Sequence, residues 1–116
     1  MIKRYEGNGK LSRVVEYNGI LYLSGRAYEA GVTIEEQTKE VLHILDETLN
    51  RYGSDKEHIL TAQIFMSDIK ENFDRMNKVW KEYIEPGYEP ARVTFQAETD
   101  MDEILIEISM TAAVKE

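Results

Sequence analysis

Two periodicities alternate along this chain. In "RVVEYNGILYLSG" two apolar runs flank Asn18-Gly19. Both central positions of a type I′ turn need positive φ, which Asn and Gly tolerate, so the pattern predicts a hairpin with strands near residues 13–17 and 20–24. The period then changes in "TIEEQTKEVLHILDETLNRYG", where Ile34, Thr38, Val41, Leu45, Thr48, Leu49 and Tyr52 recur at helical spacing. Thr33 and Glu36 stand in capping-box spacing and Gly53 supplies a stop, which predicts an amphipathic helix. "HILTAQIFMSD" returns to period two, with Ile59, Thr61, Gln63, Phe65 and Ser67 on one side and an apolar set, Leu60, Ala62, Ile64 and Met66, on the other. A second helix is expected from Asp68, again in capping-box spacing to Glu71. It carries Ile69, Phe73, Met76, Trp80 and Tyr83 at helical intervals until Pro86-Gly87 breaks it.

Two strands close the chain. "EPARVTFQAE", residues 89–98, alternates Ala91, Val93, Phe95 and Ala97 with Arg92, Thr94, Gln96 and Glu98. "EILIEISMTAAV" turns Ile104, Ile106, Ile108 and Met110 one way and Leu105, Glu107, Ser109 and Thr111 the other. The order β-β-α-β-α-β-β predicts a single α+β domain over residues 1–116, with both helices covering one side of one sheet. No internal repeat or low-complexity tract interrupts it. The opposite face is expected to carry Thr94, Gln96, Ser109 and Thr111 with Arg92 and Glu107. Such a face, rich in small hydroxyls, resembles a packed subunit interface more than open surface, where Lys and Glu dominate. Arg92 then has two readings: a solvated edge residue, or a partly buried guanidinium that needs a carboxylate from the protein or a ligand.

Composition narrows the function. At 116 residues the chain can bury an ordinary core, and a domain this small often gains stability by self-association. Its formal net charge of -8 argues against nucleic-acid binding, because neutralising phosphates takes clustered Lys and Arg. Only Lys3, Arg4, Lys10 and Arg13 cluster, diluted by Glu6 and Glu16. There is no cysteine, which removes disulfides, thiolate catalysis and cysteine-based zinc sites. The start "MIKRYEGNGK" lacks the apolar stretch of a signal peptide and no run reaches membrane-span length, so a soluble cytoplasmic protein is expected, with no membrane partner. His43 and His58 lack ligand-spaced partners and read as solvated; no metal site is expected. Phe73 and Trp80 read as core, and "GNGK" at 7–10 is too short for a phosphate loop.

One constellation is more specific. "PAR" at Pro90, Ala91 and Arg92 precedes Glu107 by fifteen residues from the arginine; "LSG" at Leu23, Ser24 and Gly25 closes the second strand; and "QIFMSDIKENFDRMNKVW" carries Asn77. Together these residues and the element order resemble the reactive intermediate deaminase (Rid) family, also called YjgF and endoribonuclease L-PSP-like, over nearly the whole chain. The resemblance implies a chorismate-mutase-like fold assembled as a homotrimer, with the last strand inserted elsewhere in the sheet and clefts between subunits. It further implies hydrolysis of 2-imino and 2-enamino acids, released by pyridoxal-phosphate enzymes, to 2-keto acids and ammonia, without a cofactor of its own. Arg92 would hold the substrate carboxylate, Glu107 would position water, Ser24, Gly25 and Thr94 would complete the surroundings, and Asn77 would support the local backbone. A non-catalytic trimer that binds small carboxylic acids or partner proteins through the same clefts is the alternative. The chain departs from the family pattern at Leu11, where a tyrosine is usual, and at Thr94, where a cysteine is common. It also departs in the acidic run Glu98–Asp102 and in the extra cation Arg26.

Overall fold

In the computed structural model, which describes residues 1–29 and 32–116, the strands β1 (Lys3–Gly7), β2 (Ser12–Tyr17), β3 (Ile20–Arg26), β4 (Ile59–Met66), β5 (Ala91–Gln96) and β6 (Ile106–Ala113) form one six-stranded sheet. The helices α1 (Ile34–Arg51) and α2 (Ile69–Tyr83) interrupt it in sequence. The spatial order is β1-β2-β3-β6-β4-β5. Every pairing is antiparallel except β4 with β5, which are parallel and joined by the α2 crossover. The mixed α+β sheet and the insertion of the last strand away from β5 are thus as expected.

Local chemistry explains most boundaries. Asn18 and Gly19 take φ of 51° and 76°, and Tyr17 pairs with Ile20 across the two-residue turn. The Thr33 hydroxyl caps α1 by accepting from the Glu36 N–H at 3.2 Å and donates to the Glu36 carboxylate at 3.0 Å. Gly53, at φ 86°, follows the last turn. Val14, Leu21 and Leu23, the β4 residues Ala62, Ile64 and Met66, and Ile106, Ile108, Met110 and Ala112 of β6 share one core with Val41, Leu45 and Leu49 of α1 and Met76, Val79 and Trp80 of α2.

Four expectations are corrected. β1 was not legible, because "KRYEG" offers a single large apolar residue; Tyr5 nevertheless pairs with Val14 and stacks on Tyr52 with ring centroids 4.5 Å apart. In β4 the register slips between Ile59 and Thr61, so Ile59 is buried and Leu60 is exposed, the reverse of strict alternation. Asp68 forms no capping box: it sits in the left-handed region at φ 47° without a side-chain bond to the helix. The Ile69 N–H is taken instead by Gln96 Oε1 at 3.1 Å, and Asn72 bonds the Ser67 carbonyl.

The fourth correction matters most. Arg92, Thr94 and Gln96 stand opposite Ala62, Ile64 and Met66 in the parallel ladder, on the helix-covered side of the sheet. Val93 and Phe95, expected to be dry, face the open side and are 46% and 51% exposed. Glu107, Ser109 and Thr111 do lie on the open side, opposite the buried Ile106, Ile108 and Met110. The alternation of β5 was therefore right and its polarity reversed. The cause is position: β5 is an edge strand at the margin of the helical layer, where its helix-facing residues meet the flank of α2. The open side keeps Tyr22, Leu60, Val93 and Phe95 exposed, with Phe95 stacked on Phe65 at 5.9 Å.

A buried amide fastens the two layers. Gln37 is fully buried in α1; its Nε2 donates to the Glu103 carbonyl at 2.7 Å and its Oε1 accepts from the Leu105 N–H at 2.8 Å, holding the segment that leads into β6. Replacing Gln37 by Leu would leave those backbone groups without these bonds, at a cost of about 1–3 kcal/mol for each group left buried and unsatisfied. Urea unfolding should show a reduced midpoint for Gln37→Leu, and an unchanged midpoint would contradict this role.

Candidate active site

Arg92 is the second residue of β5, which is reached through a tight turn. Pro86-Gly87 occupies its centre, Gly87 takes φ 94°, and the Tyr88 N–H donates to the Glu85 carbonyl at 3.0 Å. From there the Arg92 side chain runs along the flank of α2. Its Nη1 donates to Asn77 Oδ1 at 2.7 Å, and its Cζ lies 5.3 Å from the Trp80 ring centroid and 5.8 Å from that of Phe73. Phe73, Asn77 and Trp80 fall at i, i+4 and i+7, so one helix face presents an amide between two aromatic rings. Asn77 thus holds the guanidinium, whereas the sequence reading gave it to local backbone; Asn72 has that backbone task. Phe73 and Trp80, expected only in the core, also carry the arginine, and their spacing around Asn77 was the available signal.

Among the described residues no carboxylate lies within ion-pair distance of Arg92. The guanidinium is half-buried, and burial pushes its pKa below the usual arginine value, although an arginine stays charged in any ordinary buffer. It borders a hollow formed with Asn77, Trp80, Lys81, Ile84, Pro86 and Glu89. A neutral acceptor orients the fork without cancelling its charge. The arrangement can therefore take an anion, and a carboxylate suits it best because two parallel N–H donors match its two oxygens.

The other expected residues divide between the two faces of the sheet. Thr94 lies two residues along β5 on the same side as Arg92. Ser24, Gly25 and Glu107 meet elsewhere, where the β3–β6 register shifts between Leu23 and Arg26. At this irregularity Gly25 comes so close to β6 that an added Cβ would lie 3.0 Å from the Glu107 Cδ and closer still to its carboxylate, so glycine there makes room for the Glu107 side chain. Arg13 Nη1 lies 3.5 Å from Ser24 Oγ, at the long limit for a hydrogen bond. Glu107 is half-buried and has neither ion pair nor hydrogen-bonded side-chain partner among the described residues. Within one chain, Arg92 with Thr94 and Glu107 with Ser24 and Gly25 are on opposite sides of the sheet. One ligand cannot touch both groups unless a second copy supplies one of them.

The histidines are accounted for separately. His43 Nε2 lies 3.1 Å from Glu47 on the exposed side of α1, and His58 Nδ1 lies 2.6 Å from Asp55 rather than standing free. No group of three or more His, Cys, Asp and Glu residues that could hold a metal ion occurs among the described residues. Nor is any described helix long and apolar enough to cross a membrane.

Comparisons with known proteins agree with the fold. A family model described as Endoribonuclease L-PSP matches residues 1–114. A RutC family protein of Haemophilus influenzae is 40% identical over 100 residues, covering 83% of this chain and 84% of its own. The crystal structure of NMB1025 from Neisseria meningitidis, a member of the YjgF protein family, superposes with a TM-score of 0.95 at 35% identity, covering 100% of this chain and 97% of that one. YyfA of Yersinia pestis, from the conserved Rid protein family, gives a TM-score of 0.85 at 30% identity, with 93% and 90% covered. With the family model matching nearly the whole chain, and relatives that include RutC, YjgF and Rid family proteins, the chain belongs to the Endoribonuclease L-PSP family.

Proposed function

We propose that this protein hydrolyses 2-imino and 2-enamino acids to 2-keto acids and ammonia, at clefts between the subunits of a homotrimer. The observation that carries the reading is the half-buried guanidinium of Arg92, aligned by Asn77 and left without a carboxylate. Two further features support it. Arg92 and Glu107 face opposite sides of one sheet, so a site that uses both spans two copies, and the open side exposes the apolar residues Tyr22, Leu60, Val93 and Phe95 that such an assembly would cover.

The chemistry asks little of the protein. The substrate carboxylate pairs with the free N–H groups of Arg92, which orients the iminium carbon. Glu107 of a neighbouring copy accepts a hydrogen bond from water and takes its proton as the oxygen attacks that carbon. Glu107 returns that proton to the carbinolamine nitrogen and takes the hydroxyl proton as the C–N bond breaks and the carbonyl forms, then passes it to the departing ammonia, which leaves as ammonium. One water is consumed for each imine, with no redox change and no covalent enzyme intermediate. Thr94, near Arg92, and Ser24 with Gly25, near Glu107, form the polar walls. Cleavage of RNA, the activity in the family's name, is less suited to a chain of net charge -8, which repels a polyanion.

Three measurements test this reading. Light scattering at micromolar concentration should give the mass of a trimer, and a monomer would remove the shared cleft. Calorimetric titration of 2-ketobutyrate should find Arg92→Lys weaker by about tenfold to a hundredfold, the equivalent of roughly 1.5–3 kcal/mol for a hydrogen bond to a charged group. Asn77→Asp should weaken it comparably, because a carboxylate at that position pairs with the guanidinium and competes with the ligand; undiminished affinity in both variants would make Arg92 scaffolding. Glu107→Gln should retain 2-ketobutyrate affinity while imine hydrolysis, followed by keto-acid release beside an amino-acid oxidase, slows roughly a hundredfold or more. Binding without any acceleration over buffer in the unaltered protein would favour the non-catalytic carboxylate-binding reading.

A further inference from the structure

Of the three phenylalanines, Phe73 packs against the core, whereas Phe65 and Phe95 stand on the open side of the sheet. The strand ladders set these two in one row with Glu107. Phe65 of β4 is directly opposite Glu107 of β6, and Phe95 of β5 is directly opposite Phe65. The two rings stack with centroids 5.9 Å apart and planes inclined by 22°. Gly25 of β3 closes the other end of the row, against the Glu107 carboxylate. Directly opposed residues on neighbouring strands bring their Cβ atoms to about 5 Å, and each further strand adds about 4.8 Å. Glu107 therefore has the Ser24–Gly25 backbone on one flank and an aromatic surface two strands wide on the other.

Register distinguishes this pair from the other apolar residues on the same side. Tyr22 shares its row with Thr111 and Thr61, and Val93 shares the next with Gln63 and Ser109. In those rows the polar side chains already bond one another, Thr61 to Thr111 at 2.7 Å and Ser109 to Gln63 at 2.9 Å. Of the three rows, the Glu107 row alone sets a carboxylate beside aromatic rings, and Phe95 there stays 51% exposed despite its stack. The carbon attacked in a 2-imino acid has three substituents. Its carboxylate goes to Arg92 of one copy, and its nitrogen, which leaves protonated, suits the polar Ser24–Gly25 flank of the next. The side chain is left facing the rings. We infer that Phe65 and Phe95 form the side-chain subsite of the cleft, and that its substrates are 2-imino acids with an aromatic side chain. The inference rests on the imine-hydrolysis reading and narrows its substrate class. The substrate ring lies offset on Phe95, the exposed member of the stack, which removes apolar surface of both from water. A side chain of two carbons covers little of that surface. Hydrolysis consumes one water and releases an aromatic 2-keto acid and ammonium.

The test is calorimetric titration of phenylpyruvate, 4-methyl-2-oxopentanoate and 2-ketobutyrate into the unaltered protein, Phe95→Ala, Phe95→Leu and Arg92→Lys, with light scattering to compare the mass of each. The unaltered protein should bind phenylpyruvate about tenfold or more tighter than 2-ketobutyrate, as covering one aromatic ring with another provides, with 4-methyl-2-oxopentanoate between them. Phe95→Ala should abolish the preference for the ring while 2-ketobutyrate affinity stays within about twofold, as expected of separate contacts. Phe95→Leu, which keeps apolar cover at the position, should lower the preference about threefold at unaltered mass. Arg92→Lys should weaken all three ligands. Equal affinities for phenylpyruvate and either of the other acids in the unaltered protein, or a preference that survives in Phe95→Ala and Phe95→Leu, would overturn the aromatic assignment and leave imine hydrolysis standing. So would a Phe95→Leu protein of reduced mass that loses all three ligands alike, because Phe95 would then serve assembly alone. Failure of the unaltered protein to bind any of the three acids would overturn both.

Discussion

The position of β6 governs this structure. By entering between β3 and β4 it becomes the central antiparallel partner of both, with Leu23 opposite Met110 on one flank and Ile64 opposite Ile108 on the other. That choice pushes β5 to the sheet edge, where it pairs with β4 alone in parallel. Because side chains alternate along a strand, the register of β6 also fixes that Ile106, Ile108 and Met110 face the helices while Glu107, Ser109 and Thr111 face away. The division of the candidate site between the two faces follows from these pairings.

The two halves are built on different principles. Arg92 sits at an edge where α2 provides an amide and two aromatic rings, so the guanidinium is oriented through one neutral hydrogen bond and two ring contacts without losing its charge. Glu107 sits in the middle of the sheet, opposite Phe65 of β4 and against the Gly25 backbone of β3. The register shift at Ser24–Gly25 and the missing Cβ of Gly25 leave room for the carboxylate. Each half is held in place by the fold itself, Arg92 by Asn77 and the α2 rings and Glu107 by the backbone around Gly25.

The helical layer supports this from behind. Arg75 forms a two-pronged ion pair with Glu35, at 2.9 and 2.7 Å, which ties α2 to the start of α1. Tyr83 donates to Asp46 at 2.7 Å across the same helix pair, and burial followed by that bond pushes its phenol pKa up. These contacts keep α2 in place against the sheet, and α2 in turn carries Phe73, Asn77 and Trp80 under Arg92. An exposed ion pair such as Arg75–Glu35 adds little stability by itself. The consequence of these contacts is geometric, since a shift of α2 would move the cradle relative to β5.

The sequence by itself determined the elements whose signals are local. The Asn18-Gly19 turn, the Thr33–Glu36 cap, the stop at Gly53 and the alternation of β6 depend on neighbouring residues, and all stand as read. The family constellation of Arg92, Glu107, "LSG" and Asn77 was legible as well, because spacing survives without coordinates. Tertiary structure decided what depends on partners distant in sequence. β1 exists because β2 offers it an edge, and Leu60 is exposed because a register slip interrupts the alternation of β4. Arg92 faces the helices because the parallel ladder aligns it with Ala62, a relation that no pattern within "EPARVTFQAE" encodes. Period two separates the two faces of a strand and carries no information about which is covered; in β5 that was settled by the margin of the helical layer, which placed the arginine against α2 and turned Val93 and Phe95 outward.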